Sequence, residues 1–270
     1  MIVHFVARLL VCIIVCGVSL TVTVPDVSAE TKILSKDTKL HPQGWGVGDS
    51  IQFKKNTSIS LNEQEEVVSG TIDKDTLLSP RGWNRVINDY YYTTVHTDFG
   101  PYYHHFYYHP FFNNDYAVSI PGYGHLLYKG GTEVIFSEQG DVISGTIANK
   151  ATVRLVDEKY GFVTFKSDTI LMFFNSGAVI SGTLDEDTYL RPVGWQKLLK
   201  GDNSAGFIKF SKGKTVTFNE KGELTSGTVK EDVVLLAEDG THKGFSAGSA
   251  VEFNEIGVAK IKVNFEQGMH

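Results

Sequence analysis

The tripeptide Ser-Gly-Thr occurs four times in this 270-residue chain: Ser69-Gly70-Thr71, Ser144-Gly145-Thr146, Ser181-Gly182-Thr183 and Ser226-Gly227-Thr228. The spacings are 75, 37 and 45 residues, and the first is close to two periods of 37 or 38. Periodic self-similarity of this length is the mark of a repeat architecture. The approach to each copy is also shared. Two apolar residues stand two apart: Ile59 and Leu61, Val134 and Phe136, Met172 and Phe174, Val216 and Phe218, and Val251 and Phe253 in a fifth copy that lacks Ser-Gly-Thr. That spacing places both side chains on one face of a strand. A polar stretch ending in Gly follows, as in Ser137-Glu138-Gln139-Gly140 and Asn219-Glu220-Lys221-Gly222. Gly there supplies the positive φ of a hairpin turn with a bulge. The first copy has Glu65 instead, which predicts a looser or different turn.

A second block follows Ser-Gly-Thr and ends in Pro-x-Gly-Trp. It reads Leu184 to Trp195, Ile72 to Trp83, and Ile33 to Trp45, so all three tryptophans share one repeat position. Such repetition suits packing between repeats. A third block precedes the hairpins: Gly161 to Phe165, Gly206 to Phe210, and Gly244-Phe245. No segment shows a long helical apolar period, so the expected fold is all-β, with about five β-hairpin units of roughly 37 residues arranged as a solenoid or extended sheet. A lone hairpin cannot bury its apolar face, whereas stacked units can. Lys260 and Lys262 on the last copy suggest a cap, since charge on a terminal strand discourages edge-to-edge pairing. Alternating runs of about five residues are too short for a membrane β-barrel, whose strands need about 9–11 residues.

The Phe-Asn-Glu-x-Gly segments Phe218 to Gly222 and Phe253 to Gly257 resemble the bacterial β-hairpin repeat proteins of the membrane occupation and recognition nexus (MORN) type; in the first, a further Gly follows five residues on, at Gly227. The resemblance covers the hairpins and not the Pro-x-Gly-Trp block, and the unit here is longer. It implies an extended hairpin array used for binding.

Met1 to Ala29 reads as a secretory signal peptide. Arg8 carries the positive charge, an apolar stretch runs from Leu9 to about Val24, and Val27 and Ala29 suit a signal peptidase, so cleavage is expected between Ala29 and Glu30. The protein is then secreted or held in the cell envelope, with no membrane span after cleavage. Both cysteines, Cys12 and Cys16, lie in this leader, which excludes a disulfide framework, a thiolate metal site and a cysteine nucleophile from the mature chain. The net charge of -6 removes the electrostatic footprint of a nucleic-acid binder.

Between the N-terminal repeats (30–89) and the C-terminal repeats (129–270), the segment 90–128 breaks the rhythm. Its 39 residues hold 10 of the 12 tyrosines, four phenylalanines and five of the nine histidines. Packed against the repeats it would be a flap. Exposed, it would be an aromatic platform for sugar rings or a protein, with Tyr102, Tyr103, Tyr107, Tyr108, Phe111 and Phe112 as the candidate binding residues. His96, His104, His105 and His109 raise the alternative of a metal-dependent enzyme or a metal- or haem-binding module. The acidic pairs Asp73/Asp75 and Asp185/Asp187, with Asp37 and Asp232 at the same position as the second member, lack the remainder of a calcium loop and read as turn residues bonded to nearby backbone amides. Four equivalent serines make poor nucleophiles, because catalysis needs one activated residue, and Gly-Thr reads as a bend or bulge. The expectation is a non-catalytic binding protein, without cofactor, whose partner is a protein or carbohydrate at the cell surface.

Overall fold

The computed structural model describes residues 30–46, 48–87, 124–155, 161–198 and 206–262, and counts refer to these. The strands in chain order begin with β1 (Glu30–Ile33), β2 (Thr38–Leu40), β3 (Ile51–Phe53), β4 (Ser58–Leu61), β5 (Val67–Thr71), β6 (Thr76–Leu78) and β7 (Val86–Ile87). They continue with β8 (Leu126–Tyr128), β9 (Glu133–Phe136), β10 (Val142–Ile147), β11 (Ala151–Arg154), β12 (Phe162–Phe165), β13 (Thr169–Phe173), β14 (Val179–Thr183) and β15 (Thr188–Leu190). A single helical turn, α1 (Trp195–Leu198), precedes β16 (Ile208–Phe210), β17 (Thr215–Phe218), β18 (Leu224–Thr228), β19 (Val233–Leu236), β20 (His242–Phe245), β21 (Ala250–Phe253) and β22 (Ala259–Ile261). The protein is all-β, as the alternation predicts.

One antiparallel sheet runs through the molecule in the order β1-β4-β5-β9-β10-β13-β14-β17-β18-β21-β22, without closing into a barrel. Chain order and sheet order agree along this path, because each hairpin hands on to the next. Between hairpins the chain leaves the path to form the pairs β2–β3, β6–β8, β11–β12, β15–β16 and β19–β20. The last five residues of the aromatic segment, Gly124 to Tyr128, are among those described, and β8 takes part in this second layer by pairing with β6. The rest of that segment lies outside the described residues.

The core is the interface between the main path and these pairs. Phe53, Tyr128, Phe165 and Phe210 stand at equivalent ends of β3, β8, β12 and β16, and all four are fully buried. Each bridges the apolar residue after a Ser-Gly-Thr: Phe53 to Ile72, Phe165 to Leu184, Phe210 to Val229, and Tyr128 to Ile147. This explains the central glycine. A Cβ on Gly70 would stand 2.9 Å from the Phe53 ring, one on Gly145 2.6 Å from Tyr128 and one on Gly227 2.7 Å from Phe210, and Gly182 is equally tight against Phe165. Real side chains do not tolerate such contacts. The glycine is therefore a seat for an aromatic ring. The bend expected at Gly-Thr is displaced: the register irregularity falls opposite Ser60/Leu61, Met172/Phe173 and Thr217/Phe218, on the N-terminal side of the glycine.

The Pro-x-Gly-Trp blocks lock hairpins together. Pro42, Pro80 and Pro192 each form a parallel bridge to the first residues of a Ser-Gly-Thr strand, at Val67, Val142 and Leu224. The following Gly then meets the turn of the next hairpin along. Gly44 lies against Glu138 to Gly140, Gly82 against Gly177, and Gly194 against Gly257. At the first of these docks, Trp45 Nε1 donates to the Gly140 carbonyl at 2.9 Å and the indole meets Phe136 edge-on. Among the described residues, no Pro-x-Gly-Trp glycine docks on the turn of the first hairpin. There Glu65 takes the same left-handed conformation (φ 61°) as Gly140 and Gly177, and the Asn62 side chain accepts from the amides of Gln64 and Glu66. The turn is thus the same as the others, contrary to the looser form expected. The glycines at 140, 177 and 257 answer a close neighbour as well as a φ angle.

Candidate binding surface

Strand alternation sends the Gly of Ser-Gly-Thr into the core and its Ser and Thr to the opposite face. The register lines these hydroxyls up across neighbouring strands. Ser144 pairs with Met172, Met172 with Ser181, Ser181 with Thr217, and Thr217 with Ser226. A second row joins Thr146 to Ile170 and Thr183 to Thr215, with Thr228 at its far end. The two rows on β10, β13, β14, β17 and β18 hold ten positions, and eight of them are Ser or Thr. Neighbouring rows of such a grid lie about 6.8 Å apart along a strand and about 4.8 Å apart between strands.

The pairs that fill the second layer all stand on the other side, so among the described residues no strand or helix covers this face. Its side chains are mostly half-buried by one another, and Ile170 is 56% exposed. Thr217 shares hydrogen bonds with Thr225 and Ser226, each 2.7 Å. No charged side chain occupies the ten positions. Charge appears at the rims, with Glu133 on β9 and a cluster on β21 and β22, where buried Glu252 meets Lys260 at 3.5 Å and Lys262 at 3.7 Å. These two lysines, read from the sequence as a cap, tie the last strand to its neighbour. Beyond β9 the hydroxyl row resumes with Ser69 and Ser60.

The aspartates are structural. Asp37, Asp75, Asp187 and Asp232 each accept a backbone N–H from a distant loop: Lys55, Gly130, Lys212 and Ala247, at 2.7 to 2.9 Å. The bond from Lys212, followed by the contact with Lys230, holds the Asp187 carboxyl below its ordinary range. The amides come from the loop facing each turn rather than from the turn itself, which sequence spacing could not reveal. The tryptophans are likewise engaged. Arg191 lies over Trp195 at 4.6 Å and over Phe207 at 4.5 Å, while Gly206 presses on the same indole. These contacts occupy ring surface that a sugar would need.

The candidate binding residues Tyr102, Tyr103, Tyr107, Tyr108, Phe111 and Phe112 lie outside the described residues, as do His96, His104, His105 and His109. The described part of that segment contributes one deep group, Tyr128. Its hydroxyl is fully buried without a hydrogen-bond partner, and burial, reinforced by the charge of Asp141, pushes its ionisation well above the ordinary phenol range. Tyr128 is a core ring, not a platform. The hydroxyl grid was missed at the sequence level, although its signal is present: hydroxyl residues two apart, flanking a glycine, repeated in four of the five hairpins.

Comparison of the chain with protein-family models, with curated proteins and with solved structures finds no match.

Proposed function

We propose that this is a non-catalytic β-repeat protein, exported by the segment 1–29 and exposed outside the cell or in its envelope, that presents a binding surface to a protein or carbohydrate partner. The observation that carries the reading is the face of the main sheet that no described strand or helix covers. A two-layer protein spends one face of each layer on the core. Here, among the described residues, no strand or helix covers the far face of the long layer, and it is lined in a regular pattern. The reading as about five successive units is supported by contacts that recur at matching places. The aspartate staples are one such set. Another is the threonine of each Thr57-, Thr132- and Thr169-type turn, which donates to the carbonyl three residues before it at 2.6 Å. Repetition of this kind builds surface by adding modules, and solenoid-like proteins use that surface for binding.

The test uses the mature chain with an isolated envelope fraction from the producing cell. Wild-type protein should sediment with the fraction. Ser181→Glu, which places a charge in the middle of the grid, should not. Lys39→Glu, on the exposed side of the second layer, should behave as wild type. Equal sedimentation of all three would show that the face is not the docking surface.

A further inference from the structure

We propose that the hydroxyl grid on β10, β13, β14, β17 and β18 binds a neutral polysaccharide laid across the strands, which deepens the binding-surface reading and rests on it. Three observations converge on that ligand class.

The first is charge. All ten positions of the two rows are uncharged, and Glu133 and the Glu252, Lys260 and Lys262 cluster stand at their rims. A polyanion or polycation would find no countercharge on the grid. A protein partner would ordinarily be anchored by Trp, Tyr or Arg, and none occupies these positions.

The second is unused hydrogen-bonding capacity. Among the described residues the hydroxyls of Ser144, Thr146 and Ser181 have no protein partner, and neither has that of Ser69, which lies on the continuing row and is only 9% exposed. A hydroxyl both donates and accepts. None of these hydroxyls is a buried unsatisfied atom, so each can exchange its water for a ligand hydroxyl. Ile170 and Met172, interleaved with the hydroxyls, offer apolar contact to the C–H faces of a pyranose.

The third is period. Strands repeat about every 4.8 Å, a distance similar to the advance per sugar in an extended glycan. A polymer of identical units then meets Ser or Thr on β10, β14, β17 and β18 and an apolar side chain, Ile170 or Met172, on β13, and many weak contacts combine into useful avidity.

The mature chain is sedimented with insoluble curdlan, cellulose, chitin and starch, and with beads carrying alginate or dextran sulfate. Retention is expected on at least one neutral polymer, unchanged from low to high salt. Ser181→Glu should weaken it by about tenfold or more (at least about one decade of Kd). Thr146→Arg is the second variant if Ser181→Glu unfolds, and Lys39→Glu should have no effect. Retention confined to the acidic polymers and lost in salt overturns the inference. So does neutral-polymer retention that survives both grid variants. If the envelope fraction binds but loses that ability after protease treatment, and no neutral polymer is retained, the partner is a protein. The glycan inference then falls while the binding-surface reading stands. Loss of binding to every probe sinks both.

Discussion

A Cβ placed on Gly182 would run into the ring of Phe165 and the side chain of Leu171. The backbone there needs no positive φ, so alanine is excluded by space alone. Gly182→Ala is expected to destabilise the fold by about 1–3 kcal/mol, the usual cost of overpacking a dense core, measured by urea denaturation. Tyr128 makes the complementary case. It occupies the site that Phe53, Phe165 and Phe210 hold elsewhere, with one additional hydroxyl that is buried and unpaired. Tyr128→Phe keeps the ring and removes the stranded polar group, so a gain of about 1 kcal/mol is expected, read as a higher denaturation midpoint with an unchanged slope. The recurrence of an aromatic residue was legible at Phe165 and Phe210 but not at their counterparts Phe53 and Tyr128. That each ring sits on the glycine of a different block was not, because the two are apart in sequence and meet only across the layers.

At the level of elements, short strands are held by side chains that reach between loops. The aspartate staples join the turn after a Ser-Gly-Thr strand to the turn that opens the next hairpin. Asp187 shows the pH consequence. Its folded-state carboxyl titrates below the ordinary value of 3.8, first because Lys212 donates its amide and then because Lys230 stands beside it. A depressed carboxylate contributes stability that is present above the unfolded value and is lost as pH falls through the folded one. Wild-type protein should therefore lose stability from about pH 4 downward. Asp187→Asn should be less stable at neutral pH and show a shallower acid limb in melts followed by circular dichroism. The hairpins, their apolar faces and the role of these aspartates as turn residues were all readable from spacing. The skip by which each Pro-x-Gly-Trp block docks on the turn of the hairpin after its own neighbour was not. It depends on how far a pair such as β2–β3 reaches across the sheet.

For the whole molecule, β1 and β22 are the two ends of the sheet among the described residues. All four residues of β1 are exposed, and Lys32 stands in the register position that the glycines hold inside the sheet, opposite Ile59. Among the described residues no aromatic strand pair packs on this position, so the requirement for glycine lapses. At the other end β22 is tied by Lys260 and Lys262 to Glu252. Glu252→Ala should loosen this strand without unfolding the interior. In native-state hydrogen exchange, the β22 amides should then exchange about tenfold faster or more while those of β13 and β14 keep their protection. Local opening at the ends with a protected middle is what nearest-neighbour stabilisation predicts for stacked modules.

Alternation of apolar and polar residues, turn chemistry and the 37-residue recurrence by themselves determined that the chain is all-β and built from hairpins. These are local properties, set by which face a side chain takes and which backbone angles a turn requires. Only the tertiary structure decided which side of each hairpin is covered. That choice depends on the second layer folding back onto the glycine face, where aromatic rings fit and larger side chains would not. The Ser and Thr of each Ser-Gly-Thr are left on the other side as an open grid, and their rows exist only because register aligns strands that the sequence keeps dozens of residues apart.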